Sequence, residues 1–197
     1  MTATITKKIS TTPKYAQGQS NTVATLDESY FERCTEPWYA AYVRSRHEKV
    51  VVSQLSAKGI TQYLPLIEKL KKWSDRRVLI NEPTFPGYVF VNISYEDRVS
   101  VLETRGVVRL VGPNTKEPWS IPVEEIKAIH KALNSNLACD PYPYLNVGKE
   151  VCVMRGPLQG YHGILIEKNK KHRLVLSIYL IGQSIGVEID AADVKPL

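Results

Sequence analysis

Trp38-Tyr39-Ala40-Ala41-Tyr42-Val43-Arg44, followed by Ser45-Arg46-His47-Glu48, is the stretch on which the fold turns. The first seven residues are short, aromatic and β-branched, the signature of a buried strand. The next four read as a capping box. The Ser45 hydroxyl can accept from the amide of Glu48, while that carboxylate reaches back to the cap amide. The predicted helix runs to about Lys58, with Val51, Val52 and Leu55 as its apolar stripe and Gly59 as a left-handed stop.

Working outward, Ile60 to Leu66 predicts a second strand, ended by Pro65. Residues 68–82 are charged, with Trp73-Ser74-Asp75-Arg76-Arg77 as a hairpin tip. Phe85-Pro86-Gly87-Tyr88-Val89-Phe90-Val91 predicts a turn, then a strand. A short helix near 95–103 and a strand through Val107–Val111 follow. A third helix starts around Ser120, Pro122 and Glu124-Glu125, with Ile126, Ile129 and Leu133 facing the core and His130 and Lys131 in its last turn. This order predicts an α+β domain over 37–133, an antiparallel sheet with helices against it.

Two segments flank that domain. Residues 1–36 are rich in Thr, Ser, Lys and Gln without sustained period and predict a weakly ordered tail, with a short helical turn over 27–33. Residues 134–147 are polar and proline-bearing and predict a linker. Beyond it the period changes. Lys149–Met154, Gly163–Lys168, Leu174–Leu180 and Val187–Ile189 are short β-branched runs split by glycines, and predict a small β-barrel over 148–197.

The chain has 197 residues, 43% hydrophobic and 23% charged, with net charge +6 and a pI near 9.1. That composition supports packed cores, and the basic balance suits a polyanionic partner such as nucleic acid. Cys34, Cys139 and Cys152 are odd in number and form no Cys-x-x-Cys pair, which argues against a disulfide framework or a zinc knuckle and for a reducing cytoplasm. No apolar run approaches the roughly 20 residues of a membrane span, and the N-terminus lacks the apolar core of a signal peptide.

Four residue groups carry functional readings. Phe85 precedes the Pro86-Gly87 turn, which places its ring at the domain edge; with Tyr88, Tyr42 and Trp38 it predicts an exposed aromatic cluster, an interaction site. Simple core packing is the competing account, above all for Trp38. Arg44, Arg46, His47 and Lys49 crowd the start of the first long helix, against its dipole, at roughly 0.3–1 kcal/mol each when exposed. A broken local rule with no structural gain suggests phosphate contact, and Arg76, Arg77 and Arg105 extend that reading. A solvated face is the alternative. Gly156, Gly160 and Gly163 lack a following Lys-Ser/Thr and a helix, so they read as barrel-bend glycines and not as a phosphate loop. His47, His130, His162 and His172 fit no metal spacing, and no nucleophile motif is present. No enzyme, cofactor or metal is expected.

The two halves together resemble the NusG family of transcription elongation factors. Trp38-Tyr39 and Phe85-Pro86-Gly87-Tyr88-Val89-Phe90-Val91 resemble its N-terminal domain. Gly148, Val151, Val153, Gly156-Pro157-Leu158, Gly160, Gly163-Ile164 and Val187-Glu188-Ile189-Asp190 resemble its KOW barrel. Ser45 to Glu48, the Trp73–Arg77 hairpin and Arg105-Gly106-Val107-Val108-Arg109 are similar to the specialised UpxY- and RfaH-type members, antiterminators of particular operons.

The resemblance implies that Phe85, Tyr88, Tyr42, Trp38 and Pro86 grip the clamp of the largest RNA polymerase subunit. It implies that the basic set meets non-template DNA in the transcription bubble, and that the KOW domain recruits a small-ribosomal-subunit protein or Rho. Leu158 and Ile181 stand where the housekeeping factor has phenylalanines, which weakens that last expectation. A ribosome-associated RNA-binding KOW protein is the alternative. In RfaH-type members the last domain can fold as a helical hairpin. Here six glycines at about 1 kcal/mol each and Pro157 at about 3 predict that it stays β, with the two domains tumbling semi-independently on the linker.

Overall fold

The computed structural model describes residues 28–72, 76–114, 116–143, 148–168 and 171–197. In chain order the first part contains α1 (Glu28–Glu32), β1 (Trp38–Val43), α2 (Glu48–Ala57), β2 (Thr61–Tyr63), β3 (Leu66–Lys72), β4 (Arg77–Pro83) and β5 (Tyr88–Asn92). It continues with α3 (Arg98–Leu102), β6 (Val107–Leu110), β7 (Ser120–Ile121) and α4 (Val123–Asn134). The remaining elements are β8 (Cys139–Pro143), β9 (Lys149–Val153), β10 (His162–Lys168), β11 (Lys171–Ile178), β12 (Gln183–Glu188) and β13 (Val194–Pro196).

An antiparallel sheet in the order β2-β5-β1-β6, with β7 also paired to β1, organises the first domain. Strand alternation sorts its core into two layers. Trp38, Ala40, Tyr88 and Phe90 face α1 and α4, where they meet Phe31, Ile126 and Ile129. Tyr39, Ala41, Val43, Val89 and Val91 face α2 and α3, where they meet Val51, Leu55 and Val101. β3 and β4 form a separate two-stranded ribbon, and the tip residues Trp73, Ser74 and Asp75 lie outside the described residues.

The expected weakly ordered tail gives way to structure at α1. Phe31 is buried, with its ring 5.6 Å from Trp38, 5.4 Å from Tyr63 and 5.0 Å from His130. The Tyr30 hydroxyl donates to the Gln62 carbonyl at 2.9 Å. The helix lies within the expected helical turn at 27–33, and Phe31 and Tyr30 hold it to the domain, since so short a helix is not stable by its own propensity. Residues 1–27 lie outside the described residues.

The expected barrel is observed as a six-stranded antiparallel sheet, ordered β13-β9-β10-β11-β12-β8. It is not closed. The segment expected as a linker supplies β8, which pairs along β12 and occupies the edge through which a five-stranded ring would close. The residues after β8, 144–147, lie outside the described residues. Residues from Lys149 onward form β9–β13, in keeping with their glycines and β-branched runs.

α4 packs on both halves of the chain. The Glu125 carboxylate accepts the Tyr179 amide at 3.1 Å, and Lys131 Nζ lies 5.9 Å from the Tyr161 ring centre. Ala128 and Ala132, both buried, share one cluster with Leu176 and Ile178 of β11. Burial raises the Glu125 carboxyl above its usual range, partly offset by the Tyr179 amide. Two alanines one turn apart allow the close approach that larger residues would block.

If α1 belongs to the core, Phe31→Ala should lower unfolding free energy by about 3–5 kcal/mol, as for other buried aromatics. Urea denaturation of the full chain measures it; a change below about 1 kcal/mol would return α1 to the tail.

Candidate functional site

The Phe85-Pro86-Gly87 turn is fixed by main-chain bonds before any side chain is considered. Gly87 has a φ of +85°, which favours glycine. Its carbonyl accepts the Val43 amide at 2.8 Å, and its own amide donates to Glu48 Oε1 at 2.8 Å. Glu48 is buried at 5% exposure. A buried carboxylate is costly without hydrogen bonds, so this contact accounts for its position. A Cβ at position 87 would lie 3.3 Å from Tyr42 Cε2, so the tyrosine ring rests on the glycine.

That geometry corrects the sequence reading of the aromatic cluster. Phe85 is 1% exposed and packs edge-to-face on Phe90, with ring centres 6.1 Å apart. Trp38 is 2% exposed, with no hydrogen-bond partner for its indole N–H among the described residues. Both are core residues here: a turn fixes where the backbone goes, not which way the preceding ring points. Tyr42, at 39% exposure, half-buried Tyr88 and exposed Pro86 remain at the surface.

Strand register assembles a row that the sequence did not show. Tyr42 of β1 pairs with Tyr88 of β5 on one side and with Arg109 of β6 on the other. The two tyrosine rings are 5.5 Å apart, and the Arg109 guanidinium carbon lies 5.8 Å from the Tyr42 ring centre. In the sequence Arg109 stands out only as the end of a motif. Its place depends on the β1–β6 register, which shifts between Tyr42 and Val43, and no local pattern announces that shift.

The basic set divides differently from the expected one. α2 begins at Glu48 with His47 as its N-cap and no side-chain capping bond, so Ser45 is not the cap. The Glu48 side chain turns to Gly87 instead of back to the cap amide. Arg46 adopts a φ of +61°, uncommon for a non-glycine residue, and the Ser45 carbonyl lies 3.0 Å from His47 Nδ1. Arg44 and Arg46 therefore precede the helix, and the dipole conflict reduces to His47 and Lys49.

The Arg44 amide donates to the Gly106 carbonyl at 2.8 Å, and Gln54 Nε2 donates to the Arg105 carbonyl at 3.0 Å. These bonds bring Arg44, Arg46, His47 and Arg105 to one end of the sheet. Lys49 Nζ donates to the Asn81 carbonyl on β4 at 2.8 Å, so it is engaged in the fold.

On the ribbon, Lys69 and Lys71 both reach Glu82. Lys72 and Arg77 are directly opposite cross-strand neighbours. Like charges so placed are destabilising. Arg44, Arg46, Arg76, Arg77, Arg105 and Arg109 form no ion pair among the described residues.

In the second domain, Gly156 and Gly160 carry φ values of +85°, and the Gly160 amide donates to the Val153 carbonyl at 2.8 Å. A Cβ on Gly163 would lie 2.7 Å from the Val175 carbonyl oxygen, a close approach only glycine permits. Leu158, expected as a partner contact, is 1% exposed and belongs to the core; Ile181 is half-buried in the turn after β11. Among the described residues no group of three or more His, Cys, Asp or Glu could hold a metal, and no helix is long and apolar enough to cross a membrane.

The fold is mixed α and β with antiparallel sheets, and it carries an aromatic row beside a basic edge. Residues 36–130 match the family model described as "Transcription termination factor nusG". The transcription termination/antitermination protein NusG of Neisseria meningitidis is 24% identical over 177 residues, covering 83% of this chain and 99% of that one. The protein of the same name from Vibrio vulnificus is 27% identical over 173 residues, covering 81% and 95%. A solved structure, "Domain interaction in Thermotoga maritima NusG", is 19% identical, covers 82% of this chain and 97% of that one, and has a TM-score of 0.45. These likenesses support NusG-family identity.

Glu48→Ala should leave the buried Gly87 amide without an acceptor, at about 1–3 kcal/mol. Glu48→Gln, which keeps an acceptor oxygen, should recover part of that loss. Amide hydrogen exchange at Gly87 together with urea denaturation measures both; equal protection in the alanine variant would show that the contact does not hold the turn.

Proposed function

We propose that this chain is a transcription elongation and antitermination factor that binds RNA polymerase through its first domain. The observation that carries this reading is the Tyr88–Tyr42–Arg109 row on the domain that matches the NusG model. Two adjacent rings at the surface, with a guanidinium beside them, suit a helical protein surface with apolar and acidic residues; aromatic residues and arginine are enriched in such interfaces. The clamp of the polymerase's largest subunit is the partner proposed. Tyr42, Tyr88 and Pro86 make the contact, and Phe85, Trp38 and Glu48 support it from beneath.

The adjoining cations, Arg44, Arg46, His47 and Arg105, with Arg76 and Arg77 on the ribbon, are assigned to non-template DNA in the bubble. None of them forms an ion pair with a carboxylate among the described residues, which leaves their charge open to phosphate. Lys49 contributes less, because its ammonium is already bound to Asn81. The second domain is read as a KOW module that recruits a small-ribosomal-subunit protein or Rho. With Leu158 buried, Ile181 and its turn carry that role. Operon-specific antitermination of the UpxY or RfaH type in the cytoplasm completes the proposal.

Tyr42→Ala with Arg109→Gln should weaken binding to core polymerase by about 2–4 kcal/mol, the scale of hot-spot losses, while leaving the circular dichroism spectrum and melting curve intact. Co-elution with core polymerase at wild-type affinity would refute the assignment. Independently, changing Arg44, Arg46 and Arg105 to Gln should reduce the salt slope of binding to an elongation complex by about 0.7 for each phosphate no longer neutralised. An unaltered slope would identify this edge as a solvated surface.

A further inference from the structure

β8 is an unusual edge strand. The Glu188 amide donates to the Ala138 carbonyl at 3.0 Å, and the ladder continues with Asp140 opposite Gly186 and Tyr142 opposite Ser184. Antiparallel pairing alternates, so residues 138, 140 and 142 bond to β12, and Cys139, Pro141 and Pro143 direct their amide positions outward. Two of those three positions are proline and have no N–H to offer. No further strand can extend the sheet beyond β8. On this side of the sheet the edge able to receive a strand is that of β12, and β8 covers it.

The cover is lightly held. Asp140, Pro141 and Pro143 are exposed, and Cys139 and Tyr142 are half-buried. Ser184, Ile185, Gly186 and Val187 of β12 beneath are buried. Side-chain contacts of Asp140 and Tyr142 match β8 to its seat. Asp140 meets Arg173 at 3.2 Å, with the carboxylate 62% exposed. The Tyr142 ring lies over Gly186, where a Cβ would be 3.0 Å from Cδ2. Burial and Asp140 push the Cys139 thiol up to about 11, so it stays protonated and donates to the Ala132 carbonyl at 3.4 Å. A strand with few buried apolar contacts and an exposed outer edge opens before the sheet it caps.

We propose that β8 is a displaceable cover, and that the β12 edge accepts in its place an extended segment of a partner protein. That segment carries an acidic residue, any residue, then an aromatic one. The sequence of β8 itself defines the chemistry: main-chain bonding to Ser184, Gly186 and Glu188, an acid for Arg173, and a ring for the bare surface of Gly186. This is strand addition with two side-chain determinants. It rests on the second domain alone and does not depend on the polymerase reading.

The test uses the full chain, a synthetic peptide of residues 137–143 and amide hydrogen exchange followed by NMR. In the wild type, the Ser184, Gly186 and Glu188 amides should exchange at least about tenfold faster than those at the centre of β11. In the Asp140→Ala/Tyr142→Ala variant they should exchange faster still, with β9–β11 protection retained. Added peptide should slow them again, and the same peptide with its aromatic replaced by Ala should not. Exchange at β12 as slow as at β11 in the wild type would overturn the proposal without recourse to any variant. So would a folded variant whose β12 amides the peptide fails to protect. Concentration-dependent dimers that exchange β8 between copies would assign the edge to a second copy of this chain and overturn the foreign partner.

Discussion

The contact between the Glu48 carboxylate and the Gly87 amide is the constraint on which the first half of the molecule depends. It joins the first residue of α2 to the turn entering β5. Through that turn it sets the floor on which the Tyr42 ring lies. The helix start carries His47 and Lys49, and the turn borders the tyrosine row. One buried hydrogen bond therefore fixes the distance between the basic edge and the aromatic surface. The carboxylate needs the amide as much as the amide needs it, because either group left alone in that site would be an unsatisfied buried polar group.

Much of the scaffold was legible because it follows from local period. β1, α2 with Gly59 beyond its end, β5, and the strands after Lys149 all lie where aromatic and β-branched runs or the apolar stripe place them. What stayed hidden depends on long-range pairing. The Ser45 capping box has the right spacing, yet Glu48 finds a better donor in Gly87, which is 39 residues away. Phe85 sits at a turn, yet Phe90 draws it inward. Arg109 reaches Tyr42 only through a register that shifts at Val43. β8 carries two prolines and reads as a linker, because a sequence cannot announce that β12 leaves an edge for it. In each case tertiary partners decided between local alternatives of similar strength.

The position of α4 explains why the two halves share one core. Its Ile126 and Ile129 face the first sheet, and Ala128 and Ala132 lie against the second domain. Acids in its first turn and Lys131 in its last agree with the helix dipole, so the helix is locally favourable as well as doubly packed. The attachments to the second domain are of another kind: a backbone bond to Glu125, whose carboxyl is destabilised by burial, and a cation over Tyr161 at the edge of contact range. A charged carboxylate half-withdrawn from water weakens the docking it takes part in. Because its folded pKa is raised, the docked state gains as pH falls towards that pKa and loses as pH rises through it.

The charge distribution follows the same division between structural and spare groups. Lys69 and Lys71 share Glu82, Lys49 binds Asn81, and Lys58 binds the Ser100 carbonyl, so these lysines are committed to holding elements together. The arginines at 44, 46, 76, 77 and 105 are held in place by backbone geometry, with no ion pair among the described residues. At Arg46 that geometry includes a left-handed φ, and at Arg77 a lysine directly opposite. Both features cost stability, and neither arginine forms an ion pair among the described residues. Like charges held close together repel one another. Arg44 and Arg105 are drawn together by the Arg44 amide's bond to the Gly106 carbonyl and the Gln54 side chain's bond to the Arg105 carbonyl, which concentrates positive charge beside the exposed Tyr42–Tyr88 row.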